Sequence, residues 1–340
     1  MGEQFKWNPS SERVGQMLRQ AVYMEDQVTL EHLVKQKADL EAKDESGATP
    51  LHIAATQCRP ATVAWLVSHR ADIHATDSEG FSALTWACVK GHKPAIAQLL
   101  TSRADTEAVV SSSGKTPLSL TAERGHLECM VELLNRRASL ENFNRDGTTP
   151  LMCAAHHNET EIMSYLLGKN CQVNHIDTEG WNALMYAVNS PVPPPSIGGE
   201  SAEKKVHLDG TMGRKSATEL LLLHSADVNA QTTDGLSPLL IASGRDRPIA
   251  CRRLLEHKAQ VNLPSARGQT PILMASAHDL PDVVRCLINA MAEVNHTNLK
   301  NESSLSLAEK YKYKEVSDQL TKAGATLKSK GKKGKKGKKK

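Results

Sequence analysis

The side chains able to do chemistry in this chain are dispersed, and their spacing argues against a catalytic centre. His156 and His157 are the adjacent histidine pair, and between two helical stretches they read as solvated polar groups, not metal ligands. The seven cysteines include no Cys-x-x-Cys pair, and they stand at positions that small or apolar residues fill elsewhere in the chain. They read as core filler in a reduced protein, cytoplasmic or nuclear. Gly198-Gly199 and Gly210-x-x-Gly213 lack the Gly-Lys-Ser/Thr and the preceding apolar strand of a phosphate loop. With no nucleophile motif and no cofactor fingerprint, the expectation is a protein without enzyme activity, cofactor or metal.

Charge is the strongest chemical signal. The formal net charge is +4, yet Lys328, Lys330, Lys332, Lys333, Lys335, Lys336, Lys338, Lys339 and Lys340 crowd the last 13 residues with no acid among them, which leaves −5 on residues 1–327. The tail has no arginine, aromatic or apolar residue with which to read a base. It offers a diffuse field to a polyanion, whether nucleic acid, an acidic protein tail or an anionic membrane, with strongly salt-dependent affinity. Its lysine-glycine composition predicts disorder over 328–340.

Any functional side chain must be positioned by a repeat. Ala38, Ala71, Ala104, Ala138, Cys171, Ala226, Ala259, Ala292 and Ala325 are 33 residues apart, save one residue added near Ser113 and 22 added between Cys171 and Ala226. In phase with them run Gly47, Gly80, Gly114, Gly147, Gly180, Gly235, Gly268 and finally Asn301, the residue type that best tolerates a glycine conformation. Soon after each glycine comes a triplet such as Thr49-Pro50-Leu51, Thr149-Pro150-Leu151 or Ser237-Pro238-Leu239. Its Thr or Ser suits a helix N-cap and its proline the first helical turn. A small pair follows, Ala54-Ala55 or Ala154-Ala155, and then a second apolar helix such as that around Val63, Leu66 and Val67. One such unit cannot bury its apolar face alone, so each must cover its neighbour.

These residues resemble the ankyrin repeat over about residues 13–327. The resemblance implies an all-α ankyrin-repeat solenoid of about nine stacked helix pairs, terminal caps included, with β-hairpin-like fingers. It further implies a monomeric, non-enzymatic adaptor that takes a protein partner in its concave groove. Mapped onto the groove and finger positions, Phe81, Trp181, Leu236, Arg124, Arg145, His156 and His157 become the candidate contact residues. Phe81 and Trp181 are the expected anchors, since they stand where the fold asks for nothing apolar. Asn174, Asn229, Asn262 and Asn295 each follow valine with a leucine eight residues earlier, which resembles the sites that asparaginyl hydroxylases modify in this family. Two rival roles are a nuclear, nucleic-acid-associated regulator and a substrate-receptor or regulatory subunit of a larger enzyme.

Residues 1–12 read as a flexible lead-in, 13–327 as the solenoid and 328–340 as the tail. The extra residues fall at about 191–212, between the two helices of the sixth unit. There Pro191, Pro193, Pro194 and Pro195 would continue neither helix, so the insertion reads as an extruded loop.

Overall fold

The capping triplets do open helices. The computed structural model describes residues 11–191 and 215–327, and these contain eighteen helices. In chain order they pair as α1 (Ser11–Met24) and α2 (Gln27–Lys35), α3 (Pro50–Thr56) and α4 (Pro60–Ser68), α5 (Ala83–Lys90) and α6 (Lys93–Thr101), α7 (Pro117–Glu123) and α8 (Leu127–Asn135), and α9 (Pro150–His156) and α10 (Thr160–Gly168). Then come α11 (Ala183–Asn189) and α12 (Ala217–Leu223), α13 (Pro238–Gly244) and α14 (Pro248–Glu256), α15 (Pro271–Ala277) and α16 (Pro281–Asn289), and α17 (Ser304–Tyr311) and α18 (Lys314–Lys322). Residues 1–10, the insertion beyond Pro191, and the tail from Lys328 to Lys340 lie outside the described residues.

Local chemistry fixes the start of each first helix. At α7 the Ser119 amide donates to Thr116 Oγ1 at 3.1 Å, and the Thr116 amide donates back to Ser119 Oγ at 3.0 Å. This capping box satisfies two backbone donors that the first turn would otherwise leave open. At α3 a histidine takes the reciprocal place. The Thr49 amide donates to His52 Nδ1 at 3.2 Å, which puts the ring proton on Nε2, where it is donated to the Phe81 carbonyl of the next repeat at 2.9 Å.

Helices α2 to α18 are only seven to nine residues long, well short of what is stable alone in water. Packing supplies the difference. The described residues fall into two compact units: one holds residues up to Thr178 and from Ser190 to His224, the other Glu179–Asn189 and everything from Ser225. In the first unit α3, α5, α7 and α9 lie side by side as one layer, and α4, α6 and α8 as a second. In the second unit α11, α13, α15 and α17 form one layer, and α14, α16 and α18 the other. Leu51, Leu84, Leu118 and Leu151 recur at the same position of the first helices and are buried, as are the pairs Ala54-Ala55 and Ala154-Ala155. The two helices of the sixth repeat, α11 and α12, are assigned to different units.

The all-α expectation holds, but the β-hairpin-like fingers are corrected. Among the described residues there is no strand, only the isolated bridges Thr76–Ser82 and Thr297–Ser303. The reason lies in how each loop is closed. Asp44 Oδ1 accepts the amides of Ser46 and Ala48, both at 2.9 Å, so a side chain does the work that a second rung of backbone pairing would do. A single rung, the Asp44 amide on the Ala48 carbonyl at 3.0 Å, remains within the loop. Backbone pairing between successive loops is likewise single, as in the Ser78 amide to the Ser46 carbonyl at 3.0 Å and the Thr178 amide to the Asp146 carbonyl at 3.0 Å.

Gly80 shows why glycine recurs in these turns. It sits at φ +86°, and a Cβ there would stand 2.7 Å from the Ser111 backbone nitrogen of the next loop. Asn301, the substitute in the last repeat, adopts φ +57°.

The His52 geometry makes stability depend on pH. Burial holds its pKa below the ordinary histidine value, so the unfolded chain takes up a proton first as pH falls, and the folded state loses ground below about pH 6.5. The urea midpoint should therefore drop between about pH 7 and pH 5. His52→Gln, which can keep the capping box but not the bond to the Phe81 carbonyl, should be less stable at pH 7 by roughly the 1 kcal/mol of a lost hydrogen bond and should show a flatter pH dependence.

Candidate functional site

Between repeats, where an aspartate follows the recurring alanine it folds back on its own backbone. Asp72 Oδ1 accepts the His74 amide and Asp227 Oδ1 the Asn229 amide, both at 2.9 Å. Three residues after the recurring alanine or cysteine, a side chain reaches the neighbouring repeat in most units. In the first unit that residue is usually glutamate: Glu41 Oε1 accepts the Asp72 amide at 2.7 Å, Glu107 Oε1 the Ser139 amide at 2.8 Å and Glu141 Oε1 the Gln172 amide at 3.1 Å. In the second unit it is asparagine: Asn229, Asn262 and Asn295 accept from the amides of Gln260, Glu293 and Thr326 at 2.8, 2.9 and 2.8 Å. An asparagine can also donate, as Asn295 does to the Gly324 carbonyl at 3.2 Å. Three of the four candidate hydroxylation residues thus tie one repeat to the next, and Asn174 occupies the same register in the first unit.

The expected aromatic anchors are half-buried, and each leans on a second ring. Phe81 lies 4.8 Å from Trp86 and Trp181 5.5 Å from Tyr186, measured between ring centroids. Trp86 is held by its Nε1–H bond to Asp77 at 2.7 Å, and Lys90 Nζ sits 5.9 Å over its ring. Beside this pair, Glu123 on α7 joins Lys115 in an ion pair and stands 3.8 Å from Arg124. His156 ends α9 and His157 caps it, their rings edge to face at 5.0 Å. Burial lowers the pKa of His156, and the nearby His157 adds to the effect. Arg145 stands elsewhere, donating from its guanidinium to the carbonyls of Ser111 and Ser112 at 2.8 and 3.2 Å. The candidates are thus divided: Phe81, Arg124, Arg145, His156 and His157 belong to the first unit, Trp181 and Leu236 to the second.

Sequence reasoning missed two features. One is the glutamate and asparagine ladder just described. The other is an apolar row, Val109, Phe143 and Ile176, with 50, 57 and 56% of each side chain exposed. Both recur at the repeat spacing, so the signal was available in the same ruler that exposed the glycines.

Reactive groups are few. Burial pushes the thiols of Cys129, Cys153 and Cys171 to about 11 and that of Cys251 to about 12, so they are neither nucleophiles nor ready ligands near neutral pH. Among the described residues no group of three or more His, Cys, Asp or Glu side chains could hold a metal ion.

Stacked helix pairs joined by side-chain-closed loops define an all-helical repeat protein. The chain belongs to the ankyrin-repeat family: the family model for ankyrin repeats in three copies matches residues 18–110, 118–192 and 211–330. The match agrees with about nine repeat units, and ankyrin repeats are a non-catalytic family. No curated protein matches the chain.

If the ladder holds the stack together, Asn229→Ala, Asn262→Ala and Asn295→Ala should each cost about 1 kcal/mol of stability, the net worth of an amide hydrogen bond. Urea unfolding of the three variants would measure it, and an unchanged midpoint in all three would reduce the ladder to decoration.

Proposed function

We propose that this protein is an adaptor that holds a protein partner against the concave, first-helix side of its repeats, while the polybasic tail adds electrostatic tethering to a polyanion. The observation that carries the reading is the aromatic pair Phe81–Trp86 with Lys90 over it, together with Arg124, His156 and His157 at the ends of the next two first helices. Half-buried rings held in place by neighbours lose little entropy on binding, and aromatic and cationic side chains together are what a binding hot spot is made of. Trp181–Tyr186 offers a comparable pair in the second unit, with Leu236 one repeat on. Seven free thiols, most of them buried, support a cytoplasmic or nuclear setting.

Affinity capture from cell extract tests this with the intact chain, with Phe81→Ala/Trp181→Ala, and with the nine tail lysines changed to glutamine. The aromatic variant should weaken partner capture by about 2 kcal/mol or more, while ring-pair loss costs about 1 kcal/mol of stability per site. The tail variant should lose binding to DNA and heparin, and the intact tail should lose it steeply as salt rises. Partner capture that ignores the aromatic change would sink the groove reading.

We further propose that Asn174, Asn229, Asn262 and Asn295 include substrates of an asparaginyl hydroxylase, since they share a local sequence and three of them share one geometry. Intact-peptide mass spectrometry should find a one-oxygen increase on at least one of them. Its absence from all four despite hydroxylase co-expression would dispose of the idea.

A further inference from the structure

The first repeat leaves its outer side open. Between α1 and α2 lies a groove of about 360 Å³ lined by Met17, Val28, Thr29, His32 and Leu33. Val28 is 79% exposed, and Met17 and Thr29 are half-buried. In later repeats the same registers are covered: Pro50, Ala83, Pro117 and Pro150 stand in the place of Met17, Ala95 and Cys129 in that of Thr29, and all are buried. The helices that carry these residues lie against their counterparts in the repeat before, and no described repeat precedes α1. A terminal repeat needs a polar outer face or a cover. With Met17 and Val28 this face is apolar, so it calls for a cover.

The sequence just before α1 supplies one. The whole chain holds three Phe and four Trp, and two of these, Phe5 and Trp7, fall in its first seven residues. They stand either side of Lys6, so an extended backbone turns both rings to one face and the lysine to the other. Helix α1 has 14 residues where the other first helices have seven or eight, and it starts six residues ahead of Met17, about 9 Å along its axis. From Ser11 back to Trp7 the extended chain spans up to about 13 Å, and Asn8, Pro9 and Ser10 between them are turn-forming types. A chain that reverses there brings Trp7 to Met17. We infer that the segment Phe5 to Trp7 folds back across this groove, its rings on Met17, Val28 and His32, and serves as the cover that a preceding repeat provides elsewhere. A segment tethered this closely stands at an effective concentration on the order of millimolar, which favours it over a second copy or a free partner. The inference goes beyond the adaptor reading and does not involve Phe81 or Trp181.

Fluorine NMR of the full chain labelled with 5-fluorotryptophan tests the contact directly, the Trp7 resonance being identified by its loss in Trp7→Phe. That resonance should be displaced from the position of the free amino acid. Thr29→Glu/His32→Glu, which puts charge into the groove, should return it there while leaving Trp86 and Trp181 unmoved. Hydrogen exchange gives a second readout. Phe5→Ser/Trp7→Ser changes no residue of the described helices, and it should speed exchange of the α1 and α2 amides by about tenfold or more while α13 to α18 stay as they are. A Trp7 resonance at the free position in the intact chain, one that ignores the groove changes, or α1 and α2 exchange equal in the two chains would overturn the inference. So would a Trp7 displacement that fades on dilution, since the segment would then be lying on a second copy.

Discussion

Helices of seven to nine residues cannot hold their own shape in water, and every other property of this chain follows from that shortfall. Most first helices are held at their start by a side-chain cap and along their length by the same helix one repeat away, with a second helix packed against them as a further layer. The buried leucine row and the alanine pairs are the contact surface of that arrangement. Because neighbours supply the burial, the outer edges of the repeats are free to vary. That is where the half-buried ring pairs, Lys90 on α5, Arg124 at the end of α7 and the apolar row are found.

Contact between repeats is made in three currencies at three depths. Apolar packing joins the helix layers, His52 and Ser119 reach the next repeat from the helix starts, and the ladder of Glu41, Glu107, Glu141, Asn229, Asn262 and Asn295 binds at the loops. The ladder is chemically divided. Glutamates accept and carry charge in the first unit, while asparagines in the second accept and donate without adding charge.

Much of the architecture was legible because a periodic fold repeats its signals. Thr49, Thr116 and Thr149 announce helix starts, and Asn301 betrays a positive φ by standing where seven other repeats have glycine. The loops were misread because the spacing of turn residues is common to hairpins and to turns closed by a side chain. Only the position of Asp44 Oδ1 against the Ser46 and Ala48 amides decides between them. The candidate surface was legible in part. Phe81 and Trp181 were visible as residues out of pattern, but their lean on Trp86 and Tyr186 depends on side-chain directions that spacing does not specify. Val109, Phe143 and Ile176 were hidden by their ordinary types, since aliphatic and aromatic residues beside a turn look like core until their exposure is known.

The replacement of backbone rungs by aspartate side chains has a consequence for how such a chain survives at high local concentration. A row of true hairpins would leave open strand edges, with unpaired amides and carbonyls ready to recruit another copy or exchange partners within the array. Here loops such as the one at Asp44 spend their amides on their own carboxylate, and successive loops pair backbone to backbone only once, as at Ser78 and Ser46. Little of that backbone is left to template a foreign strand. An array of near-identical units, which might otherwise pair out of register with its own neighbours, is thereby protected against aggregation at its most exposed edge.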